Sequence, residues 1–547
     1  MAKYMTFQFH ENESGQSRLA SLGLCLILIL TFALRLPGLL VPIWSIDEGT
    51  QAVMANTIIN GGTPYVDMLD NRAPLPWYIW ALTFLFFGSD NMNAIRMVQI
   101  GLASLIIVLI FLIGRFTIGV RGALFGSFFF SVISSVGLDR IGYMFQPEWC
   151  LAVFTCLASY LFLRGLQSDH GRTLMFLSGL SYGLAFFCKQ NTLFDTITPF
   201  FFLIYLGFSK KKLPGADSLQ SCVSCALLIF MGFIVVVTWF SGYFYVKGAW
   251  KDFIFYFWAY NIDFWIPVRN SLERILFVPF WFFRVATPMN LGVWAIMGFI
   301  IICLGNKVWG ESRRDGTGII QAYIAFWSVT SFLATTIAFR PYKWYVIQLL
   351  PAWCLLAGVT FERVLNSVTI RASVEHETVN KKPNTLVRTF IILLVAIPAL
   401  SLTVEMAKTI QDWKRNQQTD LVEWIKNHSR KDQKIYVWGF APYIYTQTNR
   451  TPASRYPYNN FQTGILHGVE KPRRVPGSME TLLKELDINR PCIIVETVNE
   501  AFPGIGSSMK EYPDLWSFIN KHYSCKMQFK QGSVWQLRST FPDRNNL

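Results

Sequence analysis

The chain has 547 residues, of which 52% are hydrophobic, 16% are aromatic and 15% are charged. This composition lies outside the average for soluble domains and predicts a membrane protein. The net charge of +15 could suit a nucleic-acid partner, but the basic residues lie mostly in short loops between apolar runs, which is typical of membrane topology. We therefore expect no nucleic-acid partner.

About eleven segments meet the requirement of roughly 20 apolar residues for crossing a bilayer. Residues 1–18 lack the features of a removable signal peptide, so we expect the first segment to remain as an anchor. Residues 74–87 are apolar but short, which predicts an interfacial segment. The predicted spans are 19–41, 95–114, 123–136, 151–163 with its flanks, 174–188, 193–208, 222–240, 291–304, 319–339, 344–361 and 389–404.

Alternate loops between these spans are rich in Lys and Arg, and such loops are expected on the cytoplasmic side. This rule places residues 1–18 inside the cell, and it places the first loop (42–94) and residues 413–547 outside. The loop 241–287 has five basic residues, but it is long and aromatic, which favours interfacial helices beside a lipid-entry groove. The loops predicted to be cytoplasmic carry Arg115 and Arg121, Arg164 and Arg172, Lys210 to Lys212, Lys307 with Arg313 and Arg314, and Arg371 with Lys381 and Lys382.

Asp47 and Glu48 lie just where the chain leaves the first span. A carboxylate at the edge of the hydrocarbon is costly unless water, a partner or a ligand meets it. The pair is therefore a functional candidate. The alternative is that Asp47 only caps the following helix by accepting backbone N–H bonds.

The residues that follow form a pattern made up of Ala55, Gly61-Gly62, Pro64-Tyr65, Asp67, Asp70-Asn71-Arg72-Ala73-Pro74-Leu75, Gly88 and Arg96. It resembles the first external loop of the superfamily C glycosyltransferases, in the branch of family 39, lipid A aminoarabinose transferases and bacterial protein O-mannosyltransferases. That family has Asp-Glu after the first membrane helix and then Lys-Pro-Pro-Leu. Here Arg72 replaces the Lys and keeps its charge, whereas Ala73 replaces the first Pro.

The resemblance implies a mainly α, polytopic membrane protein of the superfamily C fold, located in a bacterial inner membrane. It also implies an enzyme, a hexosyl or pentosyl glycosyltransferase. Such enzymes move a sugar from a polyprenyl-phosphate donor to a lipid, glycan or protein acceptor on the outer face of the membrane.

A second acidic loop carries Asp139 and Glu148 between the third and fourth spans, on the same predicted side as Asp47. The resemblance places Glu148 at the family's second acidic position, which supports acceptor or metal binding. The alternatives are a favourable position at a helix N-terminus for Glu148 and a salt bridge with Arg140 for Asp139.

Transfer from a lipid phosphate needs a base for the acceptor hydroxyl and positive charge for the departing phosphate. Asp47 is the candidate base, within the family's catalytic pair with Glu48. The cations on the same face, in order of preference, are Arg72, then Lys189, then Arg340 with Lys343. Each cation could instead be a basic residue that reaches to the lipid headgroups.

Two further features bear on the chemistry. Tyr345 begins a Tyr and Pro pattern of the family that is usually preceded by His, but Trp344 holds that place, so no step that depends on His is assigned. A divalent cation, Mg²⁺ or Mn²⁺, could be held by Asp47 and Glu148 through oxygen.

Residues 413–547 have the composition of a soluble domain, and alternating helix and strand patterns predict a small α/β fold there. Their aromatic segments resemble the external domain of bacterial family members. No Gly-rich nucleotide-binding loop is present. Cys492 and Cys525 lie in this domain and could form a disulfide, whereas Cys222 and Cys225 lack the further ligands of a metal site.

Two other classes of protein remain open at this point. A transporter of lipid-linked sugars would share the helix count and the cations, but its two halves would be expected to resemble each other. A membrane-anchored binding or sensor protein would explain the soluble domain. It would not need acidic residues in two external loops.

Overall fold

This computed structural model describes residues 13–40, 43, 45–136, 139–168, 170–209, 213–265, 271–308, 317–337, 339–340, 342–375, 400, 403–404, 407, 410–411, 419–465, 473–497, 508–529 and 532–538. The fold is mainly α. Within these residues, six helices are long and apolar enough to cross a membrane, or seven if one pair that bends by 90° counts as a single span. The predicted span 389–404 lies mostly outside the described residues.

The part of the chain up to residue 375 contains fifteen α-helices in the described residues, and several of them are joined by short 3-10 or π turns. Their bounds are α1 Glu13–Arg35, α2 Ile46–Ile59, α3 Leu75–Phe87, α4 Met92–Thr117, α5 Val120–Val136, α6 Pro147–Gly165, α7 Gly171–Phe186, α8 Leu193–Thr196, α9 Thr198–Phe208, α10 Leu219–Val246, α11 Trp250–Ile254, α12 Ser271–Ala286, α13 Leu291–Val308, α14 Thr317–Thr336 and α15 Val346–Glu375.

Helices α7 and α10 pack with their backbones in close contact because glycines face the neighbouring helix. A Cβ on Gly232 would lie 2.2 Å from the carbonyl oxygen of Phe176, and one on Gly179 would lie 2.0 Å from that of Ile229. Small residues permit this approach between membrane helices. The predicted spans 174–188 and 193–208 could form either a tight pair or one broken helix. The polar Lys189, Gln190 and Asn191 separate α7 from α8, and the second span is itself divided into α8 and α9, so the region is not one continuous helix.

The first loop holds two helices rather than irregular chain. Helix α2 begins at Ile46, just before the two acidic residues, and α3 begins after Pro74. The exposed large side chains of α3 are apolar and lie toward its C-terminal end: Leu82, Leu85, Phe86 and Phe87. This distribution is consistent with the interfacial position predicted for 74–87, which stays a prediction.

The C-terminal region is a small α/β fold, as expected. Its helices are α16 Thr419–Asn427, α17 Tyr443–Thr448, α18 Asn460–Thr463, α19 Ser478–Asn489 and α20 Pro513–His522, and its strands are β1 Ile435–Trp438, β2 Ile493–Thr497, β3 Tyr523–Phe529 and β4 Gly532–Leu537. The strand order is β1-β2-β4-β3, with β1 and β2 parallel and the other pairs antiparallel. The domain boundary predicted at residue 413 lies outside the described residues.

The suggested disulfide is not formed, because Cys492 and Cys525 are both free thiols. Cys492 directly precedes β2, whereas Cys525 lies in β3, and β4 runs between these two strands. Two strand spacings of about 4.8 Å separate the strands. That distance exceeds the roughly 7 Å between Cα atoms that a disulfide can bridge.

Candidate functional site

Asp47 and Glu48 lie in the first turn of α2, but neither is the helix cap. Ser45 holds the cap position, and its hydroxyl oxygen accepts a bond from the backbone N–H of Glu48 at 3.2 Å. The alternative explanation of Asp47 as the capping residue therefore fails for this helix. The side chain of Asp47 remains available for other contacts.

Asp47 forms an ion pair with the guanidinium of Arg72. Both side chains are partly accessible, with 15% of Asp47 and 22% of Arg72 exposed. A second guanidinium nitrogen of Arg72 donates to Asp70 at 2.8 Å. Burial lowers the pKa of Arg72, but the charges of Asp47 and Asp70 outweigh that effect and hold the pKa above its ordinary value, so Arg72 stays charged.

Glu48 has very different surroundings from its neighbour. Its side chain is fully buried and forms an ion pair with Arg96, which also donates a second bond to the other carboxylate oxygen at 2.8 Å. The backbone N–H of Phe145 donates to Glu48 at 2.8 Å. Glu48 therefore links α2 to α4 and to the loop that leads to Glu148.

Asp70 is a buried acidic residue that the sequence reasoning did not select. Three groups donate to it: Arg72, the backbone N–H of Asn71 at 2.7 Å, and the hydroxyl of Tyr458 at 2.8 Å. Tyr458 belongs to the C-terminal domain and is 388 residues away in sequence. This contact ties that domain to the first loop.

Glu148 lies in the first turn of α6 and is 2% exposed. One carboxylate oxygen pairs with the ammonium of Lys189, while the other, Oε2, is buried and has no hydrogen-bond partner among the described residues. A buried acceptor without a partner costs about 1–3 kcal/mol. Oε2 is therefore available to a ligand.

Lys189 interacts with acidic residues of both loops. Its ammonium lies 3.3 Å from the centre of the Tyr345 ring, a cation–π contact, and pairs with Glu148. It also interacts electrostatically with Asp47 and Arg72. Burial lowers the pKa of Lys189 and Glu148 opposes that effect. Four of the predicted residues, Asp47, Arg72, Glu148 and Lys189, thus form one cluster of alternating charge, and Tyr345 packs beside it.

The remaining predicted residues lie around this cluster or are not fully described. Arg340 is buried, donates to the hydroxyl of Tyr342 at 3.3 Å and interacts electrostatically with Tyr345. Lys343 is half-buried in the turn Lys343–Tyr345. The side chain of Asp139 lies outside the described residues.

Asp195, a buried residue of α8 that contacts α14 and α15, is a second acidic residue that the sequence reasoning did not select. Ser331 and Gln348 donate to its two oxygens, and Gln348 also accepts from Asn191 at 3.0 Å. These bonds hold the segment that carries Lys189 against α15, which begins just after Tyr345. A carboxylate in the middle of an apolar run was the available sequence signal.

A metal site is only partly provided by the chain. Among the described residues, no group of three or more His, Cys, Asp or Glu side chains is placed to hold an ion. Asp47 and Glu148 each have one oxygen paired with a cation, and Oε2 of Glu148 has no partner in the part of the chain that the structure describes. Mg²⁺ is commonly held by one or two carboxylates when water and phosphate complete its shell.

Comparisons with known proteins place the fold. Residues 71–241 match the family described as dolichyl-phosphate-mannose-protein mannosyltransferase. The chain is similar to ArnT from Cupriavidus metallidurans bound to undecaprenyl phosphate, with a TM-score of 0.59, 14% identity, and 97% of this chain and 99% of that chain covered. These matches confirm that the fold resembles that of the superfamily C glycosyltransferases. They also support an integral membrane protein. A comparison with curated protein sequences gave no match.

A second similar fold is the archaeal oligosaccharyltransferase AglB from Archaeoglobus fulgidus, in complex with an inhibitory peptide and a dolichol-phosphate. The TM-score is 0.56 at 12% identity, with 97% of this chain and 76% of that chain covered. Another structure of the Archaeoglobus fulgidus oligosaccharyltransferase, in complex with Zn and sulfate, has a TM-score of 0.51 at 11% identity, covering 94% of this chain and 73% of that one.

Proposed function

We propose that this protein transfers a sugar from a polyprenyl-phosphate donor to an acceptor on the extracytoplasmic face of the membrane, with inversion at the anomeric carbon. The observation that carries the proposal is the joining of the Asp47–Arg72 and Glu148–Lys189 ion pairs into one cluster. Such a cluster provides both a base and cations for a phosphate leaving group.

Asp47 is the proposed base. Arg72 holds its Oδ1 atom, the side chain is 15% exposed, and no described contact occupies Oδ2. The acceptor oxygen attacks the anomeric carbon while its proton passes to Asp47, and the bond from that carbon to the phosphate oxygen breaks. One direct displacement gives inversion.

Arg72 is the proposed partner of the donor phosphate. A guanidinium has five N–H groups, and the described contacts of Arg72 use one on each terminal nitrogen, for Asp47 and Asp70. The remaining N–H groups can bind phosphate oxygens in a forked geometry. Lys189, and then Arg340 with Lys343, would add positive charge to stabilise the departing phosphate.

The nature of the donor is inferred from the similar folds. ArnT is bound to undecaprenyl phosphate and AglB is in complex with a dolichol-phosphate. A donor of this kind arrives already activated, which agrees with the lack of a Gly-rich nucleotide-binding loop in the sequence. The resemblance leaves open a hexosyl or a pentosyl unit, and a lipid, glycan or protein acceptor.

Glu148 is proposed to orient the acceptor through Oε2 or to bind a divalent cation there. An ion would supply extra positive charge beside the phosphate. Glu48 is proposed to position α2 rather than to react, because Arg96 and Phe145 already occupy its carboxylate. We also propose that the C-terminal domain lies on the extracytoplasmic side of a bacterial inner membrane.

The test uses the full-length protein in lipid nanodiscs with polyprenyl-phosphate sugars and with acceptor lipids, glycans and proteins extracted from the source membrane. Wild type should release the carrier phosphate and form a product of inverted anomeric configuration, as NMR would detect. Asp47→Asn should lower turnover about 10²- to 10⁴-fold, the usual contribution of a general base. Retained configuration, or full activity of Asp47→Asn, would sink the mechanism.

The metal role is tested in the same assay by chelation. If an ion at Glu148 supports transfer, EDTA should lower the rate and added Mg²⁺ or Mn²⁺ should restore it. Glu148→Gln should then respond little to either treatment. An unchanged rate after chelation would assign Glu148 to the acceptor alone.

A further inference from the structure

The C-terminal domain contacts the proposed site directly, at the acidic turn itself. The hydroxyl of Tyr458 donates to Asp70 at 2.8 Å, and the backbone N–H of Leu69 donates to the carbonyl of Arg455 at 2.9 Å. Gly49, two residues after Asp47, packs so closely that a Cβ there would lie 2.4 Å from the backbone nitrogen of Tyr443. The domain therefore braces the first loop on two sides.

Of these contacts, the one at Asp70 reaches the reacting groups. Asp70 is fully buried and receives its bonds from Arg72, Tyr458 and the backbone of Asn71. A buried carboxylate is stable only when its oxygens are paired or hydrogen-bonded. Loss of the Tyr458 hydroxyl would leave Asp70 with two donors and a less constrained orientation.

We propose that Asp70 and Tyr458 are positioning residues that fix the guanidinium of Arg72 for the donor phosphate. Arg72 binds Asp70 through one terminal nitrogen and Asp47 through the other, so the direction of its free N–H groups depends on both carboxylates. Forked binding of phosphate by Arg needs this orientation. The inference rests on the proposed function, because it takes Arg72 as the phosphate partner.

In this proposal the C-terminal domain takes part in donor binding through the contacts from Tyr458 to Asp70 and from Asp70 to Arg72. The side-chain geometry supports this division of roles. The ring of Tyr458 stacks on Phe461, with centroids 5.5 Å apart and planes 16° from parallel, so the ring is held independently of its hydroxyl. The variant Tyr458→Phe should keep that packing and remove only the bond to Asp70.

The chain offers a matched control in the same domain. Tyr436 is fully buried in β1, and its hydroxyl has no hydrogen-bond partner among the described residues. Tyr436→Phe makes the same chemical change as Tyr458→Phe, away from Asp70. Any general effect of losing a buried tyrosine hydroxyl should appear in both variants.

The experiment measures binding of undecaprenyl phosphate alone to the full-length protein in nanodiscs, so it does not depend on the unknown sugar or acceptor. Tyr458→Phe should raise the dissociation constant about 3- to 10-fold, Asp70→Asn should raise it at least as much, and Tyr436→Phe should leave it unchanged. In a double-mutant cycle, the effects of Tyr458→Phe and Asp70→Asn should not add, because both act through one contact.

The experiment distinguishes a failure of the positioning role from a failure of the proposed function. If Arg72→Ala weakens binding but Tyr458→Phe binds like wild type, the positioning role is wrong and the proposed function stands. If Arg72→Ala itself leaves binding unchanged, the phosphate assignment in the proposed function is wrong. Equal weakening by Tyr458→Phe and Tyr436→Phe would indicate a general packing effect and would also overturn the positioning role.

Discussion

Asp47 and Glu48 are adjacent in sequence and chemically alike, yet they occupy opposite environments. The Asp47 side chain is partly exposed beside Arg72, whereas Glu48 is fully buried against Arg96. Sequence alone treats them as one pair because the two partners lie 25 and 48 residues away. Their different burial predicts different consequences of mutation.

Glu48→Gln should destabilise the fold by about 3–5 kcal/mol, because it leaves Arg96 buried and charged without its anion. Asp47→Asn should change stability by about 1 kcal/mol or less, since its ion pair is partly exposed and screened. Thermal unfolding of the purified variants in one detergent compares them directly. A stability of Glu48→Gln equal to wild type would contradict the structural role of that ion pair.

Asp90 should make stability depend on pH. Burial raises its pKa to about 6, and a hydrogen bond from Asn56 opposes the shift. A carboxyl with a raised folded pKa stabilises the fold most below its unfolded pKa, near 4, and that stability is lost as pH rises through about 6. Asp90→Asn should therefore be more stable than wild type at pH 7.5, by about 1–2 kcal/mol.

The pH dependence is the decisive part of this comparison. Asp90 has a φ of +62°, and Asn tolerates that conformation well, so some stabilisation should be independent of pH. Only the carboxylate contribution should disappear as the pH falls from 7.5 to 4. An advantage of equal size at both pH values would show that charge burial has no part in it.

At the scale of elements, the packing of α7 on α10 depends on glycine. Gly232→Ala should destabilise the protein by about 1–3 kcal/mol, because the new Cβ would overlap the carbonyl oxygen of Phe176 and force the helices apart. Gly242 is the matched control on the same helix, since a Cβ there would meet no described atom within 4 Å. Gly242→Ala should be neutral or slightly stabilising through helix propensity.

Unfolding of both variants in the same lipid distinguishes these outcomes. Equal stability of Gly232→Ala and Gly242→Ala would contradict the close packing of α7 on α10. The helices themselves were predictable because their apolar length carries the signal. The choice of neighbouring helix was not, since it depends on where Gly179 and Gly232 meet across the interface.

Sequence reasoning found the residues that stand at the ends of apolar runs, such as Asp47, Glu148 and Lys189. A charged residue beside lipid is energetically costly, so the neighbouring apolar sequence is enough to identify it as a candidate. It missed Asp70, although that residue lies in the quoted motif, because its role depends on Tyr458 at the far end of the chain. Strand β3 alternates apolar and polar residues, which is a strand pattern, although every residue after Tyr523 is partly or fully exposed.

For the whole molecule, the contact of Tyr458 with Asp70 requires the C-terminal domain and the first loop to share one face of the membrane. The loop charges predict that this face is external. A reporter enzyme fused after Leu547 that is active only outside the cytoplasm should therefore be active. A cytoplasmic signal there would place the proposed site on the wrong side for an externally delivered donor.

The most direct measurement of the central proposal is mass spectrometry of envelope lipids, glycans and proteins from cells with and without this chain. We predict that one component loses the mass of a single sugar when the chain is absent. Wild type and Tyr436→Phe should restore that mass, and Asp47→Asn at equal expression should not. No change in any component, or full restoration by Asp47→Asn, would contradict glycosyl transfer with Asp47 as its base.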